Sequence, residues 1–112
     1  MKVTALVPLP SKSEPFRRNR ERFIPAVPGC YALVTIHQEV LYIGLSNNLR
    51  RRINEHLDNP SKTGLTAKGR AVLFFWLETA ETNKIERTWL NIHISSEGGL
   101  PELNSVYSPT AT

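Results

Sequence analysis

The stretch GCYALVTIHQEVLYIGLSNNLRRRINEH, Gly29 to His56, carries two tyrosines eleven residues apart, three consecutive arginines (Arg50, Arg51 and Arg52) and a terminal histidine. Phenols and guanidiniums so close in sequence suit a site that cuts phosphodiesters. A phosphodiester is already anionic and gains more negative charge when an oxygen nucleophile attacks phosphorus, so the chemistry needs a base, a cationic clamp and usually a metal ion. Either Tyr31 or Tyr42 could be the base. With an unperturbed pKa near ~10, a phenol works at neutral pH only if a metal or an arginine stabilises its phenolate; His56 could relay or accept the proton instead. The plainer alternative is a strand pair with ordinary aromatic packing, followed by a solvated basic helix.

The elements that must position these groups follow from pattern. Pro28-Gly29 introduces CYALVTI, rich in β-branched and aromatic residues and read as a buried strand; HQE turns the chain and VLYIG returns antiparallel to it. Ser46 or Asn47 can cap the next helix, which runs to about Leu57 with Leu49, Ile53 and Leu57 as its apolar stripe, before Asn59-Pro60 stops it. Arg52 and His56 then stack one turn apart beside that stripe, while Arg50 and Arg51 point farther away. SKTGLTAKGR reads as a loop and AVLFFWLE as a central strand buried on both faces. A helix with Ile85, Trp89 and Ile92 on one side spans Thr82 to about Ser96 and ends at Gly98-Gly99; LPELNSVYSP closes as a loop. The expected fold is α+β, a small, roughly three-stranded, mainly antiparallel sheet with flanking helices. Residues 28–112 form its one domain, preceded by a basic, proline-containing arm, residues 1–27, with at most a short helix around Phe16 to Phe23.

With 112 residues, 40% hydrophobic and 21% charged, the chain fits one globular domain. Cys30 is its single cysteine, which excludes an intramolecular disulfide and zinc sites built from several cysteines and fits a cytoplasmic setting. No apolar run is long enough for a membrane span. The net charge of +4 is concentrated at the start, where residues 1–28 hold six Lys/Arg against two Glu. Arg17, Arg18, Arg20 and Arg22 in FRRNRERF suit phosphate contacts that release condensed counterions, and Arg50, Arg51, Lys62 and Lys68 extend the candidate nucleic-acid surface. A solvated basic arm is the competing reading.

G-C-Y, then Y-I-G eleven residues after Tyr31, an arginine ten residues after Tyr42 and a histidine four beyond it resemble the GIY-YIG nuclease family, over Pro28 to about Tyr107. The resemblance implies a divalent-metal-dependent endonuclease acting on DNA, with RNA left open, in DNA repair or a mobile element. It places both tyrosines on the catalytic face, Arg52 on the scissile phosphate and Glu86, in NKIERTWL, on a single Mg²⁺ or Mn²⁺. One carboxylate suffices because Mg²⁺ keeps several waters and takes substrate oxygens. Glu81 is the alternative ligand, and Asn83 with Glu86 also fits a capping box. Asn104 in PELNS would orient Glu86 or the substrate. A homodimer or a larger partner protein is compatible with so small a chain. Two positions depart from the pattern: Cys30 stands between Gly29 and Tyr31, and Leu45 follows Gly44 where many members have lysine. The second leaves an alternative, a catalytically inactive nucleic-acid-binding or protein-interaction module on the same fold.

Overall fold

The computed structural model describes residues 1–104. One antiparallel sheet of four strands has the order β1-β4-β2-β3, formed by β1 (Lys12–Pro15), β2 (Gly29–Val34), β3 (Val40–Ser46) and β4 (Leu73–Glu78). The helices are α1 (Leu49–Leu57), the single turn α2 (Pro60–Thr63) and α3 (Thr82–Glu97), with 3-10 turns at Val3–Ala5 and Arg18–Phe23. The last falls where a short helix was expected. Of the closing loop, only the part to Asn104 lies within the described residues.

β2 is apolar on both alternating sets of side chains and all six of its residues are buried, the pattern of a strand covered on both faces. Tyr31 and Leu33 face α1 and pack with Leu49, Ile53, Phe74 and Trp76. Cys30, Ala32 and Val34 face α3 and pack with Trp89, Leu90, Val3 and Leu6. The sheet is therefore the middle of three layers. β4 is interior, as AVLFFWLE implied, but only Phe74 and Trp76 are fully buried.

The hairpin turn is held by Thr35, whose Oγ1 accepts from the His37 and Glu39 N–H groups at 3.2 and 3.1 Å, with Gln38 at φ 64°. Neither Ser46 nor Asn47 caps α1. Asn48 does, its side chain accepting from the Arg51 N–H at 3.0 Å, while Ser46 Oγ accepts the Asn48 N–H. Where Asn59-Pro60 was expected only to end a helix, Asn59 caps α2 and Pro60 occupies its first turn, since proline forfeits nothing at a position whose N–H has no helical partner. The Asn83 and Glu86 capping box does not form: Glu81 is the N-cap and makes no side-chain bond. α3 ends at Gly98, whose left-handed φ of 82° turns its N–H onto the Ile94 carbonyl.

The fourth strand comes from residues 1–27. KSEP has no apolar alternation and ends in proline, which an edge strand accommodates because one set of its N–H groups needs no partner. Val3, Leu6, Phe16 and Ile24 from the same segment are buried, and Trp89 Nε1 donates to the Pro8 carbonyl at 2.8 Å. Among the described residues no helix is long and apolar enough to cross a membrane. Because this segment supplies an edge strand and core side chains to both faces, deleting residues 1–16 should abolish cooperative thermal unfolding by calorimetry. A transition like that of the full chain would refute the integration.

Candidate active site

The antiparallel register places Tyr31 opposite Gly44 and Leu33 opposite Tyr42, so both phenols emerge on the face covered by α1. Gly44 is what lets them coexist. A Cβ there would lie 2.5 Å from the Tyr31 hydroxyl and 2.8 Å from the Tyr42 ring. Gly29 has a similar role at the other end of the pair, where a Cβ would meet the Leu77 carbonyl at 2.5 Å and Leu49 Cδ1 at 2.7 Å. The Tyr31 ring is sealed, stacked on Phe74 at 5.1 Å between centroids and 12° between planes.

The Tyr31 hydroxyl meets His56 Nε2 at 2.6 Å. Burial, and then the charge of a neighbouring Tyr42 phenolate, push the Tyr31 pKa well above 10. Burial, then Lys62 and Arg52, hold His56 down to about 3. Both partners are thus neutral at pH 7, and the imidazole tautomer sets which of them donates. Tyr42 is half-buried, its ring 6.0 Å from Tyr31 and edge-on to His56 at 5.2 Å; burial raises its pKa as well.

Arg52 is buried one turn before His56, as the helical spacing required. Its Nε lies 2.9 Å from Glu55 Oε1 without hydrogen-bond alignment and has no other partner. The Arg52 charge lowers the pKa of both phenols. Glu86, from α3, is 3% exposed, and its Oε1 has no hydrogen-bond partner. Burial raises its pKa to about 7, with Arg87 opposing. Its charge is felt by Tyr31, Tyr42 and the Cys30 thiol, which burial and Glu86 together push up to about 12. Among the described residues no cluster of three or more His, Cys, Asp or Glu could cage a metal. An orphaned buried carboxylate oxygen does fit a divalent cation that keeps waters and takes substrate oxygens.

Not every sequence candidate reaches this cluster. Lys62, read as a nucleic-acid contact, lies in α2 with Nζ 4.7 Å from the Tyr42 ring centroid, and desolvation lowers its pKa. The signal available for it was Asn59-Pro60, a helix start that folds the chain back over Tyr42. Leu45 is buried in the core facing α3, so the ammonium at this site comes from α2. Lys68 pairs with Glu97 at 3.4 Å, beside the chain's amino terminus. Asn104 makes no bond to Glu86: its Oδ1 accepts from the Ile43 N–H at 3.0 Å and its Nδ2 donates to the Ile43 carbonyl at 2.9 Å, holding the strand between Tyr42 and Gly44. Arg50 donates to the Ile24 and Arg22 carbonyls, Arg51 to Asn47, Arg18 to Asp58 and Arg20 to Glu14. Those four are largely engaged within the chain, whereas Arg17 and Arg22 have no ion-pair partner among the described residues. Glu81, the alternative ligand, is exposed and 3.8 Å from Lys84.

A family model described as the GIY-YIG catalytic domain matches residues 27–97. UvrABC system protein C of Ligilactobacillus salivarius is 34% identical over 50 residues, covering 45% of this chain and 8% of that protein. Its counterpart from Paenarthrobacter aurescens is 33% identical over 75 residues, covering 60% and 11%. The chain thus spans a small fraction of the length of these curated relatives. Among solved structures, the GIY-YIG N-terminal endonuclease domain of UvrC from Thermotoga maritima, a point mutant bound to its catalytic divalent cation, matches with a TM-score of 0.52 at 17% identity, over 80% of this chain and 94% of that one. That likeness shows the fold.

Two measurements test this geometry. Gly44→Ala should destabilise the protein by ~1–3 kcal/mol in denaturant titration, because the phenols must move to admit the methyl; an unchanged midpoint would contradict the packing. The second concerns pH in metal-free buffer. Glu86 has a folded pKa of about 7, above its unfolded 4.5, so the stability of its neutral form is complete below pH 4.5 and lost as pH rises through 7. His56 works oppositely: depressed from 6.5 to about 3, it contributes stability above pH 6.5 that is lost as pH falls toward 3. Glu86→Gln should therefore match wild type near pH 4.5 and exceed it at pH 8 by on the order of 2 kcal/mol. Parallel stability curves across that range would show that the carboxylate is not desolvated.

Proposed function

The chain belongs to the GIY-YIG catalytic domain family, and from that premise we propose that it is a divalent-metal-dependent endonuclease hydrolysing DNA phosphodiesters at the Tyr31, Tyr42, Arg52, His56, Lys62 and Glu86 cluster. The observation that carries this reading is the buried Glu86 carboxylate, whose Oε1 has no hydrogen-bond partner. Groups left unsatisfied in a core are expensive unless something else satisfies them. Glu86 would hold one Mg²⁺ or Mn²⁺, which when bound supplies positive charge to the phosphate oxygens and to the attacking or leaving oxygen.

The remaining roles follow from access and charge. Tyr42 is the phenol that reaches the surface, beneath Lys62, so it faces the attacking water; Tyr31 is sealed and acts behind it. As a water proton passes to the Tyr42 oxygen, Tyr42 hands its own proton to the Tyr31 oxygen and Tyr31 hands its own to His56 Nε2, which in the Nδ1–H tautomer is free to take it. In the free protein His56 is too weak a base for this, in part because Lys62 and Arg52 repel its proton. A phosphodiester lying between those two cations offsets their field, so substrate itself raises the basicity of His56. Arg52, buried and only loosely paired with Glu55, is the fixed clamp for the phosphate charge that grows in the transition state.

The test is supercoiled plasmid incubated with purified protein and Mg²⁺ or Mn²⁺. Wild type should nick or linearise it. Glu86→Ala and Arg52→Ala should each be slower by about 10²–10³-fold, and Lys62→Met by about tenfold. Mn²⁺ should also raise the melting temperature of wild type and not of Glu86→Ala, a readout independent of turnover. Plasmid left intact by wild type, or cutting that survives Glu86→Ala, would sink the assignment. DNA binding that falls with salt but is never followed by cutting would indicate the binding-module alternative.

A further inference from the structure

From Tyr31 a run of aromatic side chains leads away from the catalytic cluster along the same sheet face. Phe74 stacks on Tyr31, Trp76 lies 6.1 Å from Phe74, and Trp76 is also the cross-strand neighbour of Tyr31. The run ends in a surface depression between β1, β4, the 3-10 turn Arg18–Phe23 and the start of α1, lined by Phe23, Pro25, Arg50 and Trp76 among others. Phe23 is 47% exposed, with the guanidinium carbons of Arg20 and Arg22 at 4.5 and 5.0 Å from its ring centroid. Trp76, in contrast, is 4% exposed, and its indole Nε1 has no hydrogen-bond partner. An indole N–H can only donate, so this buried group lacks an acceptor.

The charges around the depression exclude a bare phosphate as its occupant. Lys12 pairs with Glu78 at 3.1 Å, Arg20 with Glu14 at 2.9 Å, and Arg50 is committed to backbone carbonyls. What is left is an exposed ring and a donor in want of an acceptor. A flat, neutral aromatic with a hydrogen-bonding edge matches both, and Arg22, over the Phe23 ring and without an ion-pair partner among the described residues, stands by for the anionic backbone that would accompany it. We propose that this depression is a second nucleic-acid subsite that takes one unpaired nucleobase, stacked on Phe23 with its polar edge toward Trp76. The proposal rests on the reading that the substrate is nucleic acid. It adds that the substrate carries an unpaired stretch close to the bond that is cut.

The experiment measures fluorescence anisotropy in EDTA, where no metal-dependent cutting occurs, using a blunt labelled duplex and the same duplex with a single-stranded extension. Wild type should bind the extended duplex about tenfold more tightly, the scale of one base stacked on an aromatic ring. Phe23→Ala should erase that preference while leaving blunt-duplex affinity and melting temperature unchanged, and Phe23→Trp should retain it. Equal affinity of wild type for both duplexes, or a preference that survives Phe23→Ala, overturns the subsite. Plasmid cleavage run in parallel separates the two readings: no cleavage with a Phe23-dependent preference removes the nuclease and leaves the subsite, and cleavage without any preference removes the subsite alone.

Discussion

The contact between the Tyr31 hydroxyl and His56 Nε2 is the joint on which the rest of the molecule depends. It ties the innermost strand to α1 in a region from which water is excluded, where a neutral hydrogen bond is strengthened and an unpaired partner would be costly. Helical periodicity then sets Arg52 one turn away, and α2, starting just past the end of α1, brings Lys62 over Tyr42. Gly44 makes room for the phenols and Gly29 lets α1 approach the sheet. Two glycines and one hydrogen bond thus fix a cluster whose members come from four separate elements.

Glu86 stands outside that economy. Nothing on α3 or the sheet satisfies its Oε1, and burial raises its pKa toward neutrality. A polar network designed only for stability would not leave it so; a glutamine or an apolar residue would serve the fold better.

The face that carries the two phenols was legible in sequence because it obeys local rules. A period of two sets Tyr31, Tyr42 and Gly44 on one face, and a spacing of four stacks Arg52 on His56. What escaped was governed by tertiary contact. β1 was hidden because KSEP carries neither alternation nor strong propensity, and it becomes a strand only by pairing with β4. Asn48, rather than Ser46 or Asn47, caps α1 because Ser46 is still in the last pair of β2 and β3. Arg50 read as basic surface, yet the carbonyls that bind it belong to residues 22 and 24, a neighbourhood no spacing rule announces. Lys62 and Lys68 looked equivalent in one loop; α2 sends the first to Tyr42, and the second pairs with Glu97.

β3 lies at the edge of the sheet and also carries Tyr42. An open edge is a row of unpaired peptide groups that recruits any extended chain, including another copy of the protein. Asn104 closes it with its side-chain amide, offering one acceptor and one donor to Ile43 in the geometry a neighbouring peptide bond would offer, while the Leu103 N–H bonds the Leu41 carbonyl. Farther along, the Met1 carbonyl accepts from the Val40 N–H at the same strand's start, and the Val3 N–H donates to the Gln38 carbonyl in the turn before it. The strand that carries Tyr42 on its face is thereby bonded along its flank at Val40, Leu41 and Ile43, which leaves fewer free peptide groups there to template an added strand.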